Sequence, residues 1–346
     1  MKIIIAILIF GFIILFHEFG HFLFAKKFGV KVNEFCLGFG PRLIGFKKGD
    51  TDYCLRLLPF GGACVMEGES EDTDDERSFL KKSLWQRAII VAGGPLFNFL
   101  LAFILSVIMI GTMGVELPMV SKVMEGYPAE EAGLQAGDRI TKLGSYNVHF
   151  YNEIVAYNFF HTGETTEVTY ERDGQTYKTT LVPKLDEDSG RYLIGIYGSG
   201  ERTRLNPAVT LGYSFYELKY QIYIALKSVG MLITGKVGVQ DMSGPVGIVK
   251  TIGDTYQQSL ASGVLYVVMN LISITILLSA NLGVMNLLPF PALDGGRLLI
   301  YIIEAITRKK VPEKVEAALN GVGFVLLMVL MVLVMGSDIS KIVKGQ

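Results

Sequence analysis

Residues 15–24 read LFHEFGHFLF, and they sit inside an apolar run from Ile3 to Ala25. Two histidines and a glutamate thus occupy a segment otherwise suited to lipid. On a helix, His17 and His21 at i and i+4 share one face, so both imidazoles can reach one metal ion. His17-Glu18-Phe19-Gly20-His21 fits H-E-x-x-H, in which the glutamate beside the first histidine acts as general base toward a bound water. At 1.5 Å per residue, His17 lies roughly 12 Å from the cytosolic end of such a helix. An ionisable group at that depth costs at least about 2.5–3.5 kcal/mol, so it normally faces a protein interior and serves a function.

The remainder of the chain agrees with a membrane setting. Half of the 346 residues are hydrophobic and only 19% are charged, which is unusual for a soluble domain. Besides Ile3–Ala25, three stretches are uncharged and long enough to span a bilayer: Ile89–Met113, Gly263–Leu288 and Ala317–Gly336. The first run is too long for a typical signal peptide and no A-x-A cleavage site follows it, so it is expected to be retained. Lysines and arginines concentrate between Lys26 and Arg87 and again between Arg297 and Lys314. By the positive-inside rule both segments are cytosolic, and residues 114–262 lie outside. A net charge of −1 gives no general attraction to nucleic acid, so no such partner is expected. Cys36, Cys54 and Cys64 form no CxxC pair and read as free thiols in a reducing compartment.

A catalytic zinc site needs a third protein ligand and an open position for water. No H-x-x-G-x-x-H extension follows His21, and Glu34 is a weak candidate. NLLPFPALDGGR, residues 286–297, is stronger: Asp294 follows the third span on the side where His17 and His21 arrive. Taken alone, Asp294 could equally cap a helix. Pro289 and Pro291 cannot continue a regular helix, and broken backbone at membrane depth needs a protein or aqueous lining. They are expected to shape the site that receives an unwound substrate strand.

With HEFGH, GGPLFNFLLA, SGPVGI and NLLPFPALDGGR in this order, the chain resembles the site-2 protease family of intramembrane zinc metalloproteases. The likeness is to its bacterial branch with an extracytoplasmic PDZ domain, of the regulator of sigma-E protease type. It covers essentially the whole chain, with room for a single PDZ domain where many Gram-negative members carry two. The resemblance implies one Zn²⁺ per chain bound by His17, His21 and Asp294, Glu18 as the catalytic glutamate, and Asn286 in contact with the substrate backbone. It implies as substrates pre-trimmed single-span membrane proteins, such as anti-sigma factors, and signal peptide remnants. It places the enzyme in the bacterial plasma membrane.

The expected architecture is an α-helical polytopic membrane protein of about four transmembrane helices, with a cytosolic-side β-hairpin and an extracytoplasmic α+β PDZ domain. Residues 1–116 would form the N-terminal membrane core, 117–198 the PDZ domain, 199–262 an extracytoplasmic amphipathic segment and 263–346 the C-terminal membrane core. Within 34–66, alternating apolar residues about the KKGD turn suggest a hairpin, either dipping into the membrane or simply cytosolic. The acidic run 67–76 reads as a solvated loop, and Asn98 as a packing residue of the second span. A hairpin is expected about Asp173-Gly174, and by resemblance residues 192–196 supply the edge at which a PDZ domain binds peptide C-termini. Residues 205–235, rich in tyrosine, suit either an interfacial helix or a packed tertiary one. Two other functions use the same residues: a membrane zinc transporter, and an inactive peptide-binding scaffold. The glutamate at base spacing argues against the first, and the intact HExxH and LDG motifs argue against the second.

Overall fold

The computed structural model describes residues 2–69, 73–187 and 190–344, and the chain divides into two compact units. One comprises Met1–Leu105 with Ser228–Gln346, and the other Ser106–Lys227. Among the described residues, four helices are long and apolar enough to cross a membrane: Lys2–Lys27 (α1), Leu84–Met113 (α2), Val264–Leu287 and Lys314–Val343. They coincide with the four uncharged stretches.

In the first unit, α1 leads into two long antiparallel strands, β1 (Val32–Lys48) and β2 (Thr51–Met66). Both strands bend, so the hairpin folds on itself into four rungs. Residues 44–47 pair with 52–55, these pair with 34–37, and 34–37 pair with 62–65. Residues 62–65 are therefore an edge with no second strand partner among the described residues. The far end of this sheet exposes Phe39, Leu43, Ile44, Phe46, Leu57 and Leu58. The ladder sets Cys36 directly opposite Cys54, and the two are disulfide-bonded with Cα atoms 4.5 Å apart. Only Cys64 is free, so the expectation of three free thiols is corrected. Strand register, which no CxxC spacing announces, is the reason. The acidic run is also less solvated than expected: Glu67 accepts from Lys31 Nζ at 2.9 Å and Asp75 from the Arg77 backbone N–H at 2.8 Å. The Lys31 ammonium holds the Glu67 carboxyl below its usual range. Residues 70–72 of that run lie outside the described residues.

The second unit carries its own core. After β3 (Lys122–Val123) and the short α3 (Pro128–Glu131) come β4 (Arg139–Leu143), β5 (Tyr146–Asn147), α4 (Tyr151–Phe160), β6 (Thr166–Arg172) and β7 (Gln175–Leu181). Their sheet runs β5-β4-β6-β7, all antiparallel. Asp173 and Gly174 both have positive φ, as the tight two-residue turn of the expected hairpin demands. Ile140, Leu143, Ile154 and Val168 are buried between sheet and α4. Strands β8 (Lys184–Asp186) and β9 (Arg191–Leu193) pair together, and β10 (Ile196–Tyr197) pairs with β3. Helix α5 (Pro207–Ile233) packs onto this unit: Tyr216 stacks on His149 at 3.7 Å and Tyr213 meets Phe150 edge-on. Of the two readings of residues 205–235, packed helix describes this face, while Leu211 and Phe215 remain exposed.

The first unit is completed by α6 (Pro245–Leu260), α7 (Val264–Leu287), α8 (Asp294–Thr307) and α9 (Glu313–Val343). Helix α6 was not expected as a separate element. Pro245 at its first position is pre-shaped for a helix start. Its N-terminus is satisfied by Asp338 of α9, buried to 3% exposure, which accepts from Gly244 N at 3.1 Å and Gly247 N at 2.7 Å. A carboxylate at a helix N-terminus is also favoured by the helix dipole. At the start of α2, Arg87 donates to Glu304 of α8 at 3.1 Å and lies over the Tyr301 ring.

Asp338→Ala should therefore lower stability by about 1–3 kcal/mol, since two buried N–H groups lose their acceptor. Asp338→Asn, which keeps one acceptor oxygen, should recover part of it. Thermal unfolding in micelles checks both; an unchanged midpoint for Asp338→Ala would show that the cap is energetically idle.

Candidate metal centre

Helix α1 carries His17, Glu18 and His21 past α2, and the crossing is close because both helices present glycine. A Cβ on Gly20 would overlap the Gly93 carbonyl, and one on Gly94 would overlap both imidazole rings. The GGP sequence of α2 thus clears the volume in which the rings sit. His17 and His21 are each 8% exposed. Asp294 enters from α8. It occupies the first turn of that helix, as the expectation of a helix-terminal residue has it, and its carboxylate also reaches the two histidines.

Three atoms converge. His17 Nε2 and His21 Nε2 are 3.2 Å apart, and Asp294 Oδ2 lies 3.2 Å and 3.5 Å from them respectively. A tetrahedral ion with bonds of about 2.0–2.2 Å requires ligand atoms roughly 3.3–3.5 Å apart. Among the described residues, these three form the compact His/Cys/Asp/Glu group able to hold a metal. Ring chemistry agrees. His21 Nδ1–H donates to the Ile90 carbonyl at 2.9 Å, which leaves its Nε2 lone pair directed at the centre. His17 Nδ1 lies 3.1 Å from the Asn98 side-chain amide. The Asn98 Oδ1 atom is buried and has no partner. Oxygen and nitrogen of an amide are interchangeable by a flip, which turns Oδ1 onto His17 Nδ1–H and directs the second Nε2 lone pair inward. Two neutral imidazoles and a carboxylate with facing lone pairs repel one another unless a cation lies between them, so the residues fit a divalent metal. Ser279 of α7 fixes Asn98 by donating to its backbone carbonyl at 2.8 Å. Asn98 therefore has a role beyond the packing expected of it, and its signal was its place about one turn after the histidine-facing Gly94.

Beside the three atoms lies a cavity of about 310 Å³ lined by Glu18, Ala63, Cys64, Val65, Met66, Asp294 and Arg297, among others. The Cys64 backbone N–H faces the Glu18 carboxylate, so the sheet edge runs directly past it. Gly62 is required there, because a Cβ would overlap Glu18 Cγ. Glu34 is instead paired with Arg56 at 2.6 Å and is not part of the group. Asn286 lies in the last turn of α7, and Pro289 and Pro291 in the connection to α8. None of the three is among the cavity-lining residues. That connection is held by α9, whose Asn320 Oδ1 accepts from Ala292 N at 3.1 Å where Ala292 adopts a left-handed conformation. Asn320 and Arg297 were missed, since nothing in their spacing distinguishes them. His149 and His161 belong to no metal-competent group among the described residues.

A family model described as peptidase family M50 matches residues 5–330. A protein of Clostridium acetobutylicum named as a zinc metalloprotease is 39% identical over 340 residues, covering 98% of this chain and 97% of that protein. The zinc metalloprotease RasP of Geobacillus kaustophilus is 31% identical over 423 residues, covering 98% of each. Among solved structures, the PDZ domain of an SdrC-like protein of Listeria monocytogenes aligns with 25% of this chain and 88% of its own length, at 24% identity and a TM-score of 0.21.

Asn98→Leu should weaken zinc binding by about 10–100-fold, the usual cost of losing a partner that orients a ligating histidine. Asn98→Asp, which keeps an acceptor, should stay near wild type. Competition with a chromophoric chelator measures both, and equal affinity for Asn98→Leu would remove the amide from the site.

Proposed function

We infer that this chain, which belongs to peptidase family M50 and is a zinc metalloprotease of the site-2 protease family, hydrolyses peptide bonds in the transmembrane segments of single-span proteins. The observation that carries this reading is the convergence of His17 and His21, which share a candidate membrane helix with Glu18, with Asp294 of α8 into a metal-competent trio beside an unpaired sheet edge. His17, His21 and Asp294 would hold the zinc. When bound, zinc lowers the pKa of water and polarises a carbonyl.

The chain's own residues do the rest. Glu18 accepts a proton from the attacking water at its carboxylate and returns it to the leaving amine. A substrate helix hides its carbonyls in i→i−4 hydrogen bonds and must unwind to be cut. The edge at Gly62–Met66 offers an unwound strand main-chain hydrogen bonds that read no side chain. Asn286 would steady its backbone, and Pro289 and Pro291 would shape the broken connection that admits it. The exposed apolar end of the sheet suits the bilayer, where its burial is favourable.

The distribution of lysine and arginine supports a plasma-membrane protein with the metal site toward the cytosol and residues 117–198 outside. In that arrangement residues 117–198 act as a PDZ domain that captures new peptide C-termini or excludes bulky outer domains. Substrates would then be proteins already trimmed by another protease, including anti-sigma-factor-like proteins and signal peptide remnants, in regulated intramembrane proteolysis.

Two substitutions test the roles in the purified enzyme with a single-span substrate. Glu18→Gln should abolish cleavage yet retain stoichiometric zinc; loss of zinc would show that Glu18 is a ligand. Asp294→Ala should lose both cleavage and most of the zinc; wild-type turnover would place the third ligand elsewhere.

A further inference from the structure

The cavity beside the zinc ligands contains one ion pair to which the chemistry above gives no role. Arg297 stands three residues after Asp294 on α8, and residues at that spacing share a helix face. Its Nη1 donates to Glu69 Oε1 at 2.5 Å. Glu69 follows the catalytic edge by three residues, and its other oxygen, Oε2, accepts from Met66 N at 3.4 Å. One carboxylate thus bridges the end of the edge strand and the helix that carries Asp294. Both side chains are largely buried, at 20% and 28% exposure, and Glu316 lies 4.0 Å behind Arg297.

The position of Met66 gives this bridge its meaning. Along a strand, alternate N–H groups point to the same side. The Cys64 N–H points out of the sheet toward Glu18, and the Met66 N–H points out two residues later toward Glu69. A strand pairing with this edge could otherwise slide past Cys64 and take the Met66 N–H as its next partner. The Glu69 carboxylate already occupies that donor, and Arg297 holds it there.

We propose that Glu69 and Arg297 are positioning residues that set the register in which a substrate strand pairs with the edge, by closing its Met66 end and tying it to the helix of Asp294. The proposal rests on the reading of Gly62–Met66 as the substrate-pairing edge. Register is otherwise weakly specified, because main-chain hydrogen bonds do not distinguish one residue from the next. With the bridge in place, one peptide bond stands before Glu18. Without it, the substrate can shift by two residues, the strand period, and still satisfy every main-chain bond.

The full-length enzyme with a single-span substrate tests this by mass-spectrometric mapping of the cleaved bond, alongside zinc content and the kcat and KM values. Wild type should cut one bond. Glu69→Gln and Arg297→Met should keep their zinc and add cuts displaced by two residues, with kcat down between about 10- and 100-fold. Arg297→Lys should largely restore the single cut, and the double variant should be no worse than the worse single one. If every variant cuts only the wild-type bond, or loses zinc in proportion to activity, the positioning role is overturned. A photo-cross-linker at position 65 in the Glu18→Gln enzyme separates this from the underlying reading. Capture of substrate there with unchanged cut sites sinks only the bridge, whereas no capture sinks the edge and the bridge together.

Discussion

Three lone pairs facing one another across 3.2–3.5 Å are the constraint on which the rest of the first unit turns. Without a cation this arrangement is repulsive, and a low-dielectric surrounding makes the repulsion larger. The chain nevertheless directs several elements at maintaining it. The glycines of α2 make room for the rings, the Ile90 carbonyl and Asn98 select their tautomers, and Ser279 holds Asn98. On the third side, the start of α8 is reached through a connection whose left-handed Ala292 is secured by Asn320 of α9. The site is in this sense supported by five helices, α1, α2, α7, α8 and α9, although the metal-competent side chains come from α1 and α8 alone.

In the proposed function the same geometry decides where a peptide can go. Glu18 follows His17 directly, so fixing one histidine fixes the base to within the freedom of a single side chain. The Cys64 N–H faces that carboxylate from the sheet edge. His17, His21, Asp294, Glu18 and the edge residues Ala63–Met66 thus line one cavity. A disulfide between Cys36 and Cys54 joins the two inner rungs behind that edge.

Much of this was legible in the sequence because the signals were redundant. HEFGH could occur by chance, but three ionisable residues in a membrane-length apolar run could not be dismissed so easily. Asp294 was found by topology, since the third span had to deliver it to the side where the histidines lie. Features that depend on register or on contacts between distant residues were not legible. Cys36 and Cys54 meet only because of how a bent hairpin folds on itself. Asp338, inside an apolar helix, shows no sign in sequence of capping α6 some ninety residues earlier. Glu69 was submerged in an acidic run whose bland reading was the sensible one, and Arg297 in a run of basic residues used for topology. Asn98 lay in a motif already assigned to packing. In each case composition described the residue correctly and the partner decided its role.

The central claim is the composition of the zinc shell, and Cys64 is the natural rival ligand because its thiol lies in the cavity wall. X-ray absorption at the zinc edge of the wild-type enzyme decides between them directly. A shell of nitrogen and oxygen alone at about 2.0–2.2 Å, with one zinc per chain, is the result this account requires. A sulfur scatterer at about 2.3 Å would contradict it, and would mean that a cysteine of the sheet displaces Asp294 from the metal.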